Sequence, residues 1–243
     1  MPEPRSITFY NDSMRAERYH RRKGSYPERT NRMHEVMLDL LVTLTSPQST
    51  ILELGAGTGL FTEKLLEANH FREICVTDGA AAMLAIAQQT LESAHTRLHF
   101  VQLDFTTDWA GLFGGIGFDA ITSSMALHHA DDKQQLFQQV FSALKPNGVF
   151  VFADHMAGAS ACIQYLLARE RALVRLGRDG KENPERVLEL INGDEERGRA
   201  EGNVCETVAQ YGHYLHRSGF EDVDCIWRDY WLAVFVARKP IGA

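Results

Sequence analysis

Ile51-Leu-Glu-Leu-Gly-Ala-Gly-Thr-Gly-Leu-Phe61 runs from an apolar, strand-like stretch through three closely spaced glycines into the start of a helix. Glycine lets a ligand approach the backbone because no Cβ intrudes, and the helix that follows presents N–H groups without intrahelical partners. Such a turn serves a dinucleotide, a nucleoside, or only a tight change of chain direction. A dinucleotide fingerprint needs G-x-G-x-x-G, whereas Gly55, Gly57 and Gly59 are spaced G-x-G-x-G and position 60 is Leu, which weakens a nicotinamide reading. Asp78 follows the next apolar run, at about the distance where a carboxylate accepts hydrogen bonds from ribose hydroxyls and would repel a 2′-phosphate.

Outward from this turn, residues 49–155 alternate short apolar runs with helix-like stretches, the pattern of repeated βα units on a parallel sheet. The runs are Thr50–Leu54, Glu73–Thr77, Leu98–Gln102, Phe118–Thr122 and Gly148–Ala153. Lys133 to Leu144 has helical spacing through Leu136, Val140, Phe141 and Leu144, and Pro146-Asn147-Gly148 closes it. Gly219–Trp227 and Tyr230–Arg238 read as a terminal hairpin that adds an antiparallel edge. The expected fold is α/β, a Rossmann-like doubly wound sheet, mostly parallel with an antiparallel C-terminal strand, plus a helical cap. The expected organisation is one domain over residues 1–243, its core about 48–155 and 218–240 and its cap 1–47 and 156–217.

Composition narrows the function. A 44% hydrophobic and 23% charged chain is ordinary for a globular protein, and no apolar run approaches the roughly 20 residues of a membrane helix. The first residues lack a secretory pattern, so a cytoplasmic location is expected. Cys75, Cys162, Cys205 and Cys225 have neither CxxC nor zinc spacing and read as reduced thiols. A net charge of -7 argues against nucleic acid as a partner, although Arg15, Arg18, Arg21, Arg22, Lys23, Arg29 and Arg32 crowd the N-terminal segment, as a solvated helix face or an attractor of anions.

Together these residues resemble the class I SAM-dependent methyltransferases, in particular the branch acting on small molecules, over about residues 30–240. Glu53-Leu-Gly-Ala-Gly-Thr-Gly59 is similar to the family's first motif, whose backbone cradles the methionine part of S-adenosylmethionine (SAM). The resemblance makes Glu53, Gly55, Ala56, Gly57, Gly59, Asp78, Met83, Asp104, Phe105 and Ser123 the cofactor-binding candidates: Asp78 for the ribose, Met83-Leu84 as the pair that follows it, Asp104-Phe105 for the adenine. Leu144-Lys-Pro-Asn-Gly-Val149 looks like the family's turn before the fifth strand, with Asn147 in place of a glycine. One departure is Ala80, where the family often has a Ser that caps the next helix.

Ligands of open α/β sheets lie outside the carboxyl ends of the strands. Ser123-Ser-Met-Ala-Leu-His-His-Ala130 leaves the fourth strand and Ala153-Asp-His-Met156 leaves the fifth. The Asn-Pro-Pro-Tyr typical of nucleobase amino-methyltransferases is absent from the fourth exit. A sulfonium methyl is already electrophilic, so the protein must align a nucleophile, exclude water and take up a proton. His128 and His129 are the candidate bases, since an imidazole titrates near neutral pH. A cap or a satisfied backbone carbonyl explains either histidine equally well. His128, His129, Asp154 and His155 also have the donor types of a metal site; an Asp–His pair that orients a base explains them without one, and no metal is expected. Tyr19, Tyr26, Arg29, His155 and Tyr165 are the substrate-side candidates, with Tyr10, Arg169, Arg171 and His213 nearby in sequence.

The expected function is transfer of the SAM methyl group to a small-molecule acceptor by a monomer or homodimer. A SAM-remodelling enzyme similar to carboxy-SAM synthases, suggested by His213–Phe220 and Trp227–Arg238, and a non-catalytic SAM-binding subunit are the alternatives.

Overall fold

The computed structural model describes residues 5–22, 27–91, 97–115, 117–177 and 183–242. The strands are β1 (Thr50–Leu54), β2 (Glu73–Asp78), β3 (Leu98–Gln102), β4 (Phe118–Ser124), β5 (Leu144–His155), β6 (Glu221–Asp229) and β7 (Leu232–Arg238). They form one sheet in the order β3-β2-β1-β4-β5-β7-β6. β1 to β5 pair in parallel, and β7 runs antiparallel to both β5 and β6. The reversed strand is therefore the last one, and it lies inside the sheet with β6 at the edge. The expected mixed, mostly parallel sheet is what the chain forms.

The helices are α1 (Arg5–Tyr10), α2 (Ser13–Arg22), α3 (Pro27–Leu44), α4 (Leu60–Glu67), α5 (Ala81–Thr90), α6 (Lys133–Ala143), α7 (Ala161–Leu176), α8 (Pro184–Glu201) and α9 (Val208–Arg217). Central strands buried on both faces need continuous apolar runs, and Val149 to Ala153 of β5 is fully buried. One face is covered by α3, whose Met33, Met37 and Leu41 recur every four residues and are fully buried. The other carries Phe137, Phe150, Phe152, Tyr211 and Phe235; the Phe152 and Phe235 rings stack across β5 and β7 with centroids 5.0 Å apart.

β5 begins earlier than its sequence suggests. Leu144 already pairs with Phe118, and an irregularity between Phe118 and Ala120 absorbs the Lys145–Gly148 turn. Asn147 sits there at φ 65°. Asparagine is one of the few residues other than glycine that takes this left-handed conformation at low cost, which explains how it replaces the glycine of the resembled motif.

Strand order reverses between β1 and β4, so the crevice that holds ligands in such sheets opens beyond the ends of these two strands. α1 and α2 approach it from one side, packed on α8 and α5, while α7 packs on α8. Among the described residues, no helix is long and apolar enough to cross a membrane.

Candidate active site

A cavity of ≈ 850 Å³ fills the crevice. Its wall combines Glu53, Gly55, Ala56 and Gly57 from the end of β1, Asp78 from β2, Asp104 and Phe105 after β3, Ser124 to Ala126 after β4, and His128, His129 and His155. Two glycines are needed for distinct reasons. A Cβ on Gly55 would sit 2.4 Å from the Ala126 Cβ, so only glycine lets the loops after β1 and β4 meet. Gly57, at φ 58°, has no protein atom within 4 Å of where its Cβ would be, and a side chain there would enter open space at the cavity wall. Gly59 faces Leu91 and Ala87 instead and serves the packing of α4 on α5.

Asp78 ties this turn to the second strand. Its carboxylate accepts the Gly57 and Ala80 N–H groups, each at 2.8 Å. The bond to Ala80 fixes the residue that precedes α5 and whose own side chain gives no cap. Burial raises the Asp78 pKa, against the pull of the Ala80 and Gly57 amides. A carboxylate has about four acceptor sites, so capacity remains for two hydroxyl donors. Asp104 anchors its own turn by accepting from the Thr106 N–H and hydroxyl at 2.9 and 2.6 Å, and Phe105 and Met83 give the cavity an apolar wall.

Glu53 shows what this end of the cavity is built to receive. One oxygen accepts the Thr62 hydroxyl at 2.6 Å, while Oε1 is buried without a partner among the described residues, as is the Thr58 hydroxyl. Burial pushes the carboxyl up to about 7, against the Thr62 bond and with help from Asp78. An unpaired buried acceptor costs about 1–3 kcal/mol, and a bound cation would remove that cost. SAM carries an ammonium group, ribose hydroxyls and an adenine, and the acceptors and apolar wall here fit those groups. Because the carboxyl is protonated below about pH 7 in the free chain, SAM affinity should rise about tenfold per pH unit up to that point and then level off. Glu53→Gln should flatten the profile; calorimetric titrations from about pH 5.5 to 7.5 would show it. A flat wild-type profile would remove the ammonium from Glu53.

The second half of the cavity is organised by Asp154, fully buried at the end of β5. Its carboxylate accepts from the His128 Nδ1–H at 2.5 Å, the His155 N–H at 2.7 Å and the Tyr211 hydroxyl at 2.9 Å. Burial alone would raise the Asp154 pKa, but His128, the His155 amide and Lys133 outweigh it and hold the carboxyl below its ordinary value. Since an ionised carboxylate can only accept, His128 carries its proton on Nδ1 and keeps the Nε2 lone pair free. The His128 carbonyl accepts the Val204 N–H at 2.7 Å, which fixes the loop.

The neighbouring histidines differ from it. His129 packs on His128 with ring centroids 4.1 Å apart, and its Nδ1 is buried without a partner among the described residues. Burial, then the charge of His128, drives its pKa down to about 2. That is far from the near-neutral value a general base needs. His155 stacks on His128 at 5.0 Å, and burial followed by Arg171 holds it well below the usual imidazole range. Sequence alone cannot rank His128 against His129; the carboxylate partner favours His128.

Other candidates lie elsewhere. Ser123 is fully buried and donates to the Leu54 carbonyl at 2.8 Å, so it ties β4 to β1, and it is Ser124 that lines the cavity. Arg29 pairs with Asp229 at 2.5 Å and Glu170 at 2.9 Å and lies over Trp231, away from the cavity wall. Tyr165 is on the exposed side of α7, 49% accessible. Tyr19 reaches the cavity wall together with Tyr10. Tyr26 lies outside the described residues.

His34 and Tyr211 have roles that the sequence reading did not assign. His34 lies on α3 beside the buried Met33, contacts the Ser124 hydroxyl through Nε2 at 2.8 Å and reaches the cavity. A histidine beside the apolar stripe of that helix was the available signal. Tyr211 lies in α9 far along the chain, and nothing local marks it as the partner of Asp154.

A reversed strand beside β5, a glycine turn at the β1–β4 crevice and a carboxylate after β2 thus stand together in one fold. Residues 52–150 match the family model described as a methyltransferase domain. The chain is 37% identical over 109 residues, 43% of its length, to an uncharacterised protein of Synechococcus, covering 25% of that protein. It is 26% identical over 172 residues to an uncharacterised methyltransferase of Schizosaccharomyces pombe, covering 67% of this chain and 60% of the relative. The chain spans a quarter or less of the first four curated relatives it matches. Among solved structures, Haemonchus contortus phosphoethanolamine N-methyltransferase 2 in complex with S-adenosylhomocysteine superposes with TM-score 0.61 at 14% identity, over 85% of this chain and 52% of that one, a likeness of fold.

Proposed function

We propose that this chain transfers the methyl group of SAM to a small-molecule acceptor, releasing S-adenosylhomocysteine, with His128 as the proton acceptor. The observation that carries this reading is His128, oriented by the buried Asp154, in the wall of the same cavity as Asp78 and the glycine turn. When bound, SAM supplies a methyl on a sulfonium, an electrophile that needs no further activation. The residues here therefore align the acceptor, exclude water and take its proton. Gly55, Ala56, Gly57, Glu53, Asp78, Met83, Asp104 and Phe105 would hold the cofactor. Asp154 fixes the His128 ring and stabilises the imidazolium formed when Nε2 takes the proton, and Tyr211 holds Asp154 from its other oxygen.

The reading includes a single domain in which the helical cap closes over the sheet, a cytoplasmic location, and a monomer or homodimer that binds neither nucleic acid nor membrane. It also includes catalysis without a metal. Among the described residues, no group of three histidine, cysteine or acidic side chains is arranged to hold a metal ion, and the His128 Nδ1 is engaged by Asp154. Turnover should survive exhaustive chelation; stoichiometric metal in the purified protein, with activity lost on removal and regained on addition, would contradict this.

The test of the whole reading is incubation of the protein with methyl-labelled SAM and a cell extract, followed by mass spectrometry. Label should enter small molecules, matched by S-adenosylhomocysteine. An altered cofactor would indicate SAM remodelling, and no turnover by the isolated chain would indicate a binding subunit.

A further inference from the structure

Two guanidinium groups lie over the Trp231 ring, Arg29 at 4.9 Å and Arg171 at 5.3 Å from its centre. They differ in compensation. Arg29 is neutralised twice, by Glu170 and Asp229. Arg171, on α7, forms no salt bridge among the described residues, and its Nε is buried with no hydrogen-bond partner. Arg175, one turn further along the same helix, is paired with Asp194. Arg15, Arg18, Arg197 and Arg199 also line the cavity without a salt bridge among the described residues; Arg171 differs from them in its buried, unpartnered Nε. Arg171 is half-buried, and a buried donor left without an acceptor is costly, a cost that a ligand's oxygen would remove.

Its position relates this cation to the chemistry. Arg171 lines the cavity together with His155, Gln164 and Cys205, and its charge is felt at both His155 and Cys205. His155 stacks on His128. His155 is thus a shared neighbour, acted on by the charge of Arg171 and stacked on the histidine that Asp154 orients. The cofactor end of the cavity, with Glu53, Asp78 and Asp104, offers acceptors and suits a cation and hydroxyl groups, and Arg171 offers donors to a ligand that reaches His155.

We infer that the acceptor carries a compact anionic group, a carboxylate or a phosphate, that pairs with Arg171 and sets the methyl-accepting atom beside His128. A guanidinium presents a planar fork of donors that matches such oxyanions and orients them as well as attracting them. Arg171 is a specificity-determining residue here and takes no part in proton transfer. The inference rests on the acceptor site proposed above and narrows its substrate class.

Trp231 provides the readout because Arg171 lies over its ring. Benzoate and phenyl phosphate, each with a neutral counterpart, benzamide and phenol, would be titrated into the chain with and without saturating S-adenosylhomocysteine. Binding would be followed by the Trp231 indole N–H resonance, assigned with Trp231→Phe. Benzoate, phenyl phosphate or both should bind at least about tenfold more tightly than the neutral counterpart, and the stronger of the two names the oxyanion. Arg171→Gln should abolish that preference while leaving the binding of the neutral probes and of S-adenosylhomocysteine unchanged; Arg171→Lys should restore part of it. Equal affinity for charged and neutral probes in the wild type, or an anion preference that persists in a folded Arg171→Gln protein, would overturn the inference. Failure to bind S-adenosylhomocysteine would overturn the methyltransferase reading instead, and the probe titrations without it would still decide for or against the anion site.

Discussion

Replacing Asp78 with alanine is expected to weaken SAM binding by on the order of 2 kcal/mol or more, about thirtyfold at equilibrium. Two effects add. The variant loses the acceptor proposed for the ribose hydroxyls, and it releases the Gly57 and Ala80 amides that Asp78 now holds. Asp78→Asn separates them, because its single carbonyl oxygen can keep one amide contact while the negative charge is gone. Calorimetry on folded protein gives the answer directly. Unchanged affinity in Asp78→Ala would remove this residue from the cofactor site, whatever its role in the turn.

The second large effect should come from His128. A general base contributes on the order of 10²–10⁴-fold to rate, so His128→Ala should lower single-turnover rates by such a factor at saturating SAM, with cofactor affinity nearly intact. Asp154→Asn should lose part of the same factor, because an amide in that place no longer stabilises an imidazolium and can favour the wrong tautomer. His129→Ala should change the rate little, since burial keeps that imidazole neutral. The acceptor's acidity sets the size of the His128 effect, and a nucleophile already deprotonated would reduce it. Rates measured from about pH 6 to 9 would discriminate: a His128→Ala protein with the wild-type rate and pH profile returns the residue to a purely structural role.

Burial at Glu53 also links pH to stability. Its carboxyl is raised from 4.5 to about 7 in the folded chain without ligand, so its ionisation opposes folding. That contribution is most favourable below the unfolded value and is lost as pH rises through the folded one. A bound cation would offset it, so the thermal stabilisation that the cofactor adds to the free chain should grow up to about pH 7.

The core of this fold was legible because its strands are local apolar runs between glycine or polar turns. β1 and β3 fall where the sequence puts them, and the glycine spacing with Asp78 marks the cofactor end of the cavity. The parts that were not legible depend on contacts distant in sequence. Ser123 and Ser124 look equivalent in the chain, and which one faces the cavity depends on where β4 ends, at a turn that places Met125 at φ 63°. Arg29 has the chemistry of a substrate contact but is claimed by Glu170 and Asp229, residues more than a hundred positions away. His128 and His129 are adjacent and alike until β5 brings Asp154 to one of them. Tyr211 acquires its role only when α9 packs under β5.

The most direct test of the central claim is a crystal structure of the chain with S-adenosylhomocysteine. The account predicts the ribose hydroxyls within hydrogen-bond distance of Asp78, the adenine beside Asp104 and Phe105, the amino group against Glu53, and the sulfur facing the part of the cavity that holds His128. The product bound at another surface, or a cavity that stays empty at saturating product, would contradict it.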